Sequence, residues 1–511
     1  MGYFEQHLLP EEQNSIPYLP TTVLLLDFIT KQYGQQIALS DENQEIRYDY
    51  LEQRIACRRH KLQELDLKAR TNIGLFDGNS IDAVEWFLAV TTSGMVAVMI
   101  PPTMTEEALE KTAIHYELGA IIVGSPLEDR AKAVSIPMIA MSAMDQEGAL
   151  SASVQKRESA AIFFTGGTTG TPKGVVLNHG AIMRGALNGT YRNGTVFGQT
   201  MVAALPFTHV FGMIFSMLSG LYAGAHMVVC SQMKDLFKTM AQASPTTMIA
   251  VPGMADLMLT VAKKRGINAL GGKLKLIICC AAPVPPRLYD GFQPFGVQVL
   301  AGYGLTETAN LVSGNLDMET HCDSVGKQYP NQEARIVDGE LQVRGDMLFD
   351  GYWKDEPTTI SAFDDGWFKT GDLARMNDEG FIYIVGRIKN LILLGNGENI
   401  SPEEVEEAFY RGKYVQDCLV SETVISGNPV TQLEVYPVEK VSDEAVMEEM
   451  KAVRATLPST MRPARLLIRH QPFEKNASME RDLSRIILSR TNYFESHMRL
   501  TGFTRKKMYL D

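Results

Sequence analysis

Positive charge is scarce in this chain. Its 511 residues carry 48 Lys and Arg against 60 Asp and Glu, a formal net charge of −12. Such a balance lacks the basic surface on which sequence-independent nucleic-acid binding depends, although a local basic pocket for a nucleotide remains compatible with it. Cysteine is sparse as well. Cys57, Cys230, Cys279, Cys280, Cys322 and Cys418 show no metal-ligand spacing. Cys279 and Cys280 sit in the apolar run LIICCAAP, where a free thiol behaves as a small buried hydrophobe. The N-terminal MGYFEQHLLPEEQ has early acids and no apolar core of signal-peptide length. The expectation is a reduced, cytoplasmic protein. No long low-complexity tract and no internal repeat is visible.

Charge of either sign is missing from residues 193–233. Within that gap, 211–229 is about long enough to cross a bilayer, but Gly212, Gly220, Gly224, Ser216, Ser219 and His226 interrupt it. It reads as a buried helix inside a large domain, and no membrane span is expected. Residues 87–105 are also uncharged, and Gly94 and the Pro101-Pro102 pair break them.

A chain of this length exceeds one compact core, so two or more domains are expected. Leu51, Ile55, Leu62 and Leu65 keep helical spacing, NIGLF from Asn72 is strand-like, and helix and strand then alternate through GAIIVG. That alternation implies a mostly parallel sheet covered by helices. TTMIAVP, KLKLIICCAAP and VQVLAGYG are strand-to-loop transitions, and ligands of open α/β sheets bind beyond such strand ends. From Ala334 the style changes to short alternating strands with Asp-Gly and Glu-Gly turns, as in antiparallel sheet. A boundary is placed near Gly386-Arg387-Ile388-Lys389-Asn390. Beyond it, SPEEVEEAF has Ser401 as N-cap and Pro402 at the first helical position, opening a compact α+β unit.

The stretch FFTGGTTGTPKGVVL, 163–177, reads as strand, phosphate-binding loop, strand. Gly166, Gly167 and Gly170 let backbone N–H groups converge, Thr165, Thr168, Thr169 and Thr171 add hydroxyls, and Lys173 adds a mobile charge. It is not a Walker loop, since no Gly-Lys-Ser/Thr follows at the required spacing. Taken alone, a ligand-free Gly/Thr-rich hairpin is an equal reading. Other stretches tip the balance. AGYGLTETAN delivers Tyr303 to stack on a base, Thr306 to bond a phosphate and Glu307 to hold Mg²⁺. In DDGWFKTGDLARMNDEGFIYIVGR, Asp372 can accept two ribose hydroxyls and Arg387 can donate to ribose or phosphate.

The order FFTGGTTGTPKG, CAAPVPP, GYGLTET, GYW, GWFKTGDL, GRIKN, GENISPEEVE resembles the adenylate-forming superfamily, which includes acyl- and aryl-CoA synthetases, peptide-synthetase adenylation domains and luciferases. The resemblance runs over about 48–485. It implies an α/β fold with a large N-terminal domain of stacked sheets plus a small β-barrel-like region, spanning 1–388. A small mobile α+β domain would span 389–511, turning about a hinge at Lys389. It implies that the loop 165–173 holds the β- and γ-phosphates of ATP, that Ala281, Ala282 and Pro283 with Tyr303 bracket adenine, and that Thr306 meets the α-phosphate. Glu307 would take Mg²⁺, Asp372 and Arg387 the ribose, and Gly397 and Glu398 would line a thiol's tunnel. The implied reaction turns a carboxylic acid into an acyl-adenylate with release of pyrophosphate, then passes it to coenzyme A or a carrier-protein phosphopantetheine.

His209, in PFTHVFGMIF, matches a position that often carries His or an aromatic in such synthetases. No Asp or Glu occurs between Leu205 and Val229, which favours an acid with an uncharged tail. Phe207, Phe211, Met213 and Phe215 point to an apolar or aromatic group, fatty and aryl acids staying open. One departure stands out. Where the resemblance places a C-terminal lysine bridging carboxylate and α-phosphate, PFEKNASMERDLSR has Glu480. A carboxylate there repels both partners. Either Arg481 or Lys475 substitutes, or adenylation is slow, or the chain is an adenylate-binding homologue that has lost it.

Overall fold

The computed structural model describes Phe4 and residues 16–165, 173–190, 199–394, 399–425, 428–438 and 440–473. A seven-stranded sheet is built around Asn72–Phe76, Val96–Ile100 and Leu118–Val123, which pair in parallel. NIGLF and VAVMI are buried at every position, as expected of parallel strands covered on both faces. A nine-stranded sheet runs in parallel from Ile37–Ser40 through His226–Val229, Thr200–Ala203, Thr247–Ala250, Leu276–Cys279 and Gln298–Leu305. Antiparallel strands complete it, Asn310–Asn315 and then Lys327–Gln328 at one edge and Glu45–Arg47 at the other. The antiparallel region expected after Ala334 is a five-stranded sheet that includes Gln332–Val337, Glu340–Gly345, Trp367–Met376 and Ile382–Arg387.

The alternating helices form where the sequence placed them. Ile81–Thr92 starts at Ser80, whose hydroxyl accepts from the Ala83 N–H at 3.0 Å, and every residue but Asp82 is buried. Its Glu85 is fully buried and would be untenable alone. It is held by Arg58 of the facing helix Tyr48–Gln63, through Nε at 2.9 Å and Nη2 at 2.6 Å, and by Arg54.

The uncharged stretch departs from the single-helix expectation. Phe211–Leu218 is wound as a π-helix, Ser219–Tyr222 continues as α-helix, and His226–Val229 is a strand. Gly224 ends the helix at φ +72°, and the Ala225 N–H closes back on the Gly220 carbonyl at 2.9 Å. The apolar residues serve a buried helix and then a buried strand. Among the described residues no helix is long and apolar enough to cross a membrane.

From Ile392 onward the apolar side chains gather into a core of their own, with Ile400, Val405, Phe409, Val435 and Met450 at its centre. Helix Pro402–Tyr410 starts at Ser401, whose hydroxyl accepts from Glu404 N–H. The same hydroxyl donates to the Val385 carbonyl at 2.6 Å. Arg287 reaches across to the Gln416 carbonyl at 2.8 Å.

His179 begins the helix His179–Asn188, directly behind the glycine-rich hairpin. It is 1% exposed, and its Nδ1 lies 3.2 Å from the Thr22 hydroxyl. Burial pushes its pKa down to about 4, against a small opposing pull from Glu158. The unfolded chain therefore binds the extra proton first. The neutral imidazole's contribution is complete above about pH 6.5 and lost as pH falls toward 4, an effect of about 3 kcal/mol. Urea unfolding between pH 7 and pH 4 is expected to show a His179→Gln variant with a shallower acid limb; an identical slope would contradict the assignment.

Candidate active site

Strands Ser159–Phe164 and Gly174–Asn178 pair antiparallel, with Phe164 opposite Gly174. The Thr165 N–H donates to the Lys173 carbonyl at 3.0 Å, so the mouth of the glycine-rich loop is pinned shut as a hairpin neck. Gly166, Gly167, Thr168, Thr169, Gly170 and Thr171 lie outside the described residues, as do Gly397, Glu398, Lys475, Glu480 and Arg481.

Thr165 and Lys173 open into a cavity of about 810 Å³ that also receives His209, Ala281, Thr306, Glu307, Arg387 and Lys389. Residues nominated from five separate stretches of sequence thus meet in one space. Ala281 projects there from a left-handed backbone, φ +72°; Ala282 and Pro283 are exposed beside it but do not line the cavity.

Thr306 and Glu307 occupy a single 3-10 turn after strand Gln298–Leu305. The Thr308 hydroxyl fixes that turn, accepting from Leu305 N–H and donating to the Asn310 carbonyl at 2.6 Å. Only glycine fits at 304, where a Cβ would stand 1.8 Å from the Asn310 carbonyl oxygen. Glu307 Oε1 accepts from the Tyr352 hydroxyl at 2.8 Å, and burial together with this carboxylate raises the Tyr352 pKa. The Lys173 ammonium lies 5.0 Å from the centre of the Tyr352 ring, a cation–π distance.

Tyr303, Asp372 and Arg387 form a second cluster. Asp372 and Arg387 are cross-strand partners, and Arg387 Nε donates to Asp372 Oδ1 at 2.5 Å. The Tyr303 hydroxyl donates to Oδ2 at 2.6 Å. Burial, then the Asp372 charge, raises the Tyr303 pKa well above its ordinary value. Asp372 is 3% exposed. Arg387 lines the cavity, whereas Tyr303 and Asp372 are not among its lining residues. Arg387 Nη2 also donates to Oδ2 at 3.4 Å, so a ribose reaching Asp372 would find its second lone pair on Oδ1.

The acid side is set by the turn before the π-helix. Gly212 and Met213 N–H groups both donate to the His209 carbonyl at 3.0 Å, and a Cβ at Gly212 would lie 2.1 Å from the Pro206 carbonyl oxygen. His209 faces the open cavity yet is ringed by protein, which lowers its pKa. Of the four apolar candidates only Phe211 lines the cavity, its ring stacked on Phe215 at 5.4 Å. Phe207, Met213 and Phe215 are buried core. Cys280, expected as plain core, is buried but forms part of the cavity wall.

Sequence reasoning passed over two residues and narrowed a third. Tyr352 belongs to the quoted GYW motif, but its link to Glu307 arises because Gly351–Tyr352 pairs with Gly174–Asn178. Asn310 lines the cavity just beyond the Thr306–Thr308 turn. Lys389, read only as a hinge, also lines it; burial and the neighbouring Arg387 lower its pKa.

A family model described as AMP-binding enzyme matches residues 27–353. The chain belongs to the AMP-binding enzyme family. Within that family it is 28% identical over 319 residues to a long-chain-fatty-acid–CoA ligase, FadD15, of Mycobacterium bovis, a match covering 53% of each chain. The chain thus spans about half the length of that curated relative. It is 26% identical over 405 residues to a 2-succinylbenzoate–CoA ligase of Bacillus cytotoxicus, covering 76% of this chain and 82% of the relative. The fold is that of the anthranilate CoA ligase AuaEII in complex with anthranoyl-AMP, with TM-score 0.84, 18% identity and 94% of this chain and 99% of the other covered. It is likewise that of the o-succinylbenzoate CoA synthetase from Bacillus subtilis in complex with its acyl-adenylate, with TM-score 0.77, 22% identity and 90% and 97% covered. The α/β architecture anticipated from the motif order is therefore the family's.

Tyr352→Phe keeps the ring against Lys173 and deletes the donor to Glu307. A hydrogen bond to a charged group is worth about 1.5 kcal/mol, so calorimetry is expected to show ATP affinity reduced about tenfold. Unchanged affinity would exclude the bond from the nucleotide site.

Proposed function

We propose that this protein activates a carboxylic acid with ATP through an acyl-adenylate, releases pyrophosphate, and passes the acyl group to the thiol of coenzyme A or of a carrier-protein phosphopantetheine. The observation that carries this reading is the shared cavity. It gathers Thr165, Lys173, Thr306, Glu307 and Arg387 together with the apolar Leu205, Val210, Phe211 and Val251. Relatives named as CoA ligases for fatty and aryl acids support it.

A carboxylate is a poor electrophile because its leaving group would be oxide. Attack of its oxygen on the α-phosphorus of ATP expels pyrophosphate and leaves AMP as the leaving group for the thiol. This chain's part is mainly to position and to neutralise charge. In our reading, loop 165–173 with Lys173 grips the β- and γ-phosphates, and Thr306 donates to the α-phosphate. Ala281 meets adenine from the cavity wall, with Ala282, Pro283 and Tyr303 at its margin, and Arg387, backed by Asp372, receives the ribose. His209, neutral at physiological pH, stands beside the acid. Glu307 is a hard oxygen donor with one oxygen engaged by Tyr352, which fits a Mg²⁺ that would offset phosphate charge. The unit 389–511, with its own core, turns about Lys389 between the two half-reactions. The carboxylate-free wall favours an acid with an uncharged apolar or aryl body.

Glu480 favours a second reading, an adenylate-binding homologue with weakened adenylation. ATP–pyrophosphate exchange across fatty, aryl and amino acids separates the two. We expect exchange with an uncharged acid, and a higher rate in Glu480→Lys. No exchange with any acid while ATP still binds would refute the ligase reading. A rate unchanged or lower in Glu480→Lys would show that position 480 does not correspond to the family's lysine or that another cation, Arg481 or Lys475, already serves.

A further inference from the structure

Lys173, Lys369, Arg387 and Lys389 all line the cavity, but their surroundings differ. Arg387 is bonded to Asp372 through both Nε and Nη2. Lys173 rests against the Tyr352 ring. Lys369 stands on strand Trp367–Met376, opposite Gln342. Among the described residues no carboxylate is bonded to the Lys389 ammonium, which feels Asp372 and Glu307 only at longer range. Surrounding protein, then the Arg387 charge, lower its pKa. An ammonium in that position is under-satisfied, and an anion entering the cavity would satisfy it.

The backbone beneath this side chain is anchored at both ends. Lys389 is the middle residue of the 3-10 turn Ile388–Asn390. The turn follows Arg387, which the Asp372 bond holds. It ends on Asn390, whose Nδ2 donates to Glu403 Oε1 of helix Pro402–Tyr410 at 2.6 Å. A residue between two fixed neighbours delivers its side chain to a set place. Adenylation has a use for such a charge. A carboxylate and the α-phosphate are both anions, and their approach is repulsive unless a positioned cation stands beside them. Lys173 is assigned to the β- and γ-phosphates, Arg387 is shared with Asp372 and the ribose, and His209 is neutral. Glu480 brings no positive charge. Lys389 lies in the field of Glu307 and Lys173, and Glu307 adjoins the Thr306 assigned to the α-phosphate.

We propose that the Lys389 ammonium pairs with the α-phosphate and the incoming carboxylate, and so is a catalytic residue of the adenylation step as well as a pivot. The assignment rests on the ligase reading above and adds a residue to it. The acid's oxygen bonds to the α-phosphorus while the bond from phosphorus to the bridging oxygen breaks. Pyrophosphate leaves with that electron pair. Lys389 stays protonated throughout and transfers no proton. Because it heads the C-terminal unit, a turn of that unit would withdraw the charge once the adenylate is made.

The test uses the full chain as Lys389→Gln and Lys389→Arg. Pyrophosphate exchange with an accepted acid is expected to fall about a hundredfold in Lys389→Gln, the loss that follows removal of one transition-state donor. Lys389→Arg keeps the charge and should recover about tenfold of that loss or more. Thioester formation from supplied acyl-adenylate and coenzyme A should stay within about threefold of the unaltered chain in both variants. Exchange within about threefold of the unaltered chain in Lys389→Gln would overturn the proposal. So would an equal loss in the two variants, or a loss confined to the thioester step, which would leave Lys389 a pivot only. If the unaltered chain exchanges with no acid, the ligase reading falls, and calorimetry decides the phosphate contact by itself. AMP should then lose about tenfold of its affinity advantage over adenosine in Lys389→Gln. An unchanged advantage would overturn the contact.

Discussion

A buried carboxylate must be answered by donors, and Asp372 is the one on which this site depends. Tyr303 of the nine-stranded sheet donates to Oδ2, and Arg387 of the five-stranded sheet donates to Oδ1 and, at 3.4 Å, to Oδ2. Removing Arg387 would leave a desolvated carboxylate without its counter-charge, a far larger penalty than the pair's net worth. The arrangement joins the two sheets at the back of the cavity wall. Arg387 is also the last residue of its strand, so Ile388–Asn390 and the C-terminal core leave from that same joint. The nucleotide-side geometry and the direction of the following unit are fixed by one charge.

The cavity is electrostatically lopsided. Lys173, Lys369, Arg387 and Lys389 share it with Glu307 and Glu340, a balance that suits a polyphosphate and lies within an acidic chain. The opposite wall holds aliphatic and aromatic side chains with a neutral imidazole and one carboxamide. Charged and apolar lining thus come from different parts of the fold: a hairpin neck and a 3-10 turn for the first, the turn into a π-helix for the second.

Much of this was legible in the sequence because tight backbone leaves marks that composition does not. Gly304 and Gly212 are required by carbonyls at sub-contact distance, and they sit inside motifs that could be read in order. The parallel strands were visible as unbroken apolar runs. What escaped reading was non-local. The link from Tyr352 to Glu307 depends on a two-residue strand docking beside the hairpin, and nothing in the string GYW reports that neighbour. Met213 and Phe215 looked like pocket residues, but the winding of the π-helix turns them into the core and leaves Phe211 facing the cavity. The end of that helix depended on one left-handed glycine, Gly224, against a run of apolar residues that gave no other sign.

The central claim is that the acid's own oxygen attacks the α-phosphorus of ATP within this cavity. Labelling both carboxylate oxygens of an accepted acid with ¹⁸O and weighing the nucleotide product tests it directly. The account predicts that AMP leaves with one labelled oxygen after transfer to the thiol and that pyrophosphate stays unlabelled. Formation of ADP, or unlabelled AMP alongside thioester, would contradict it.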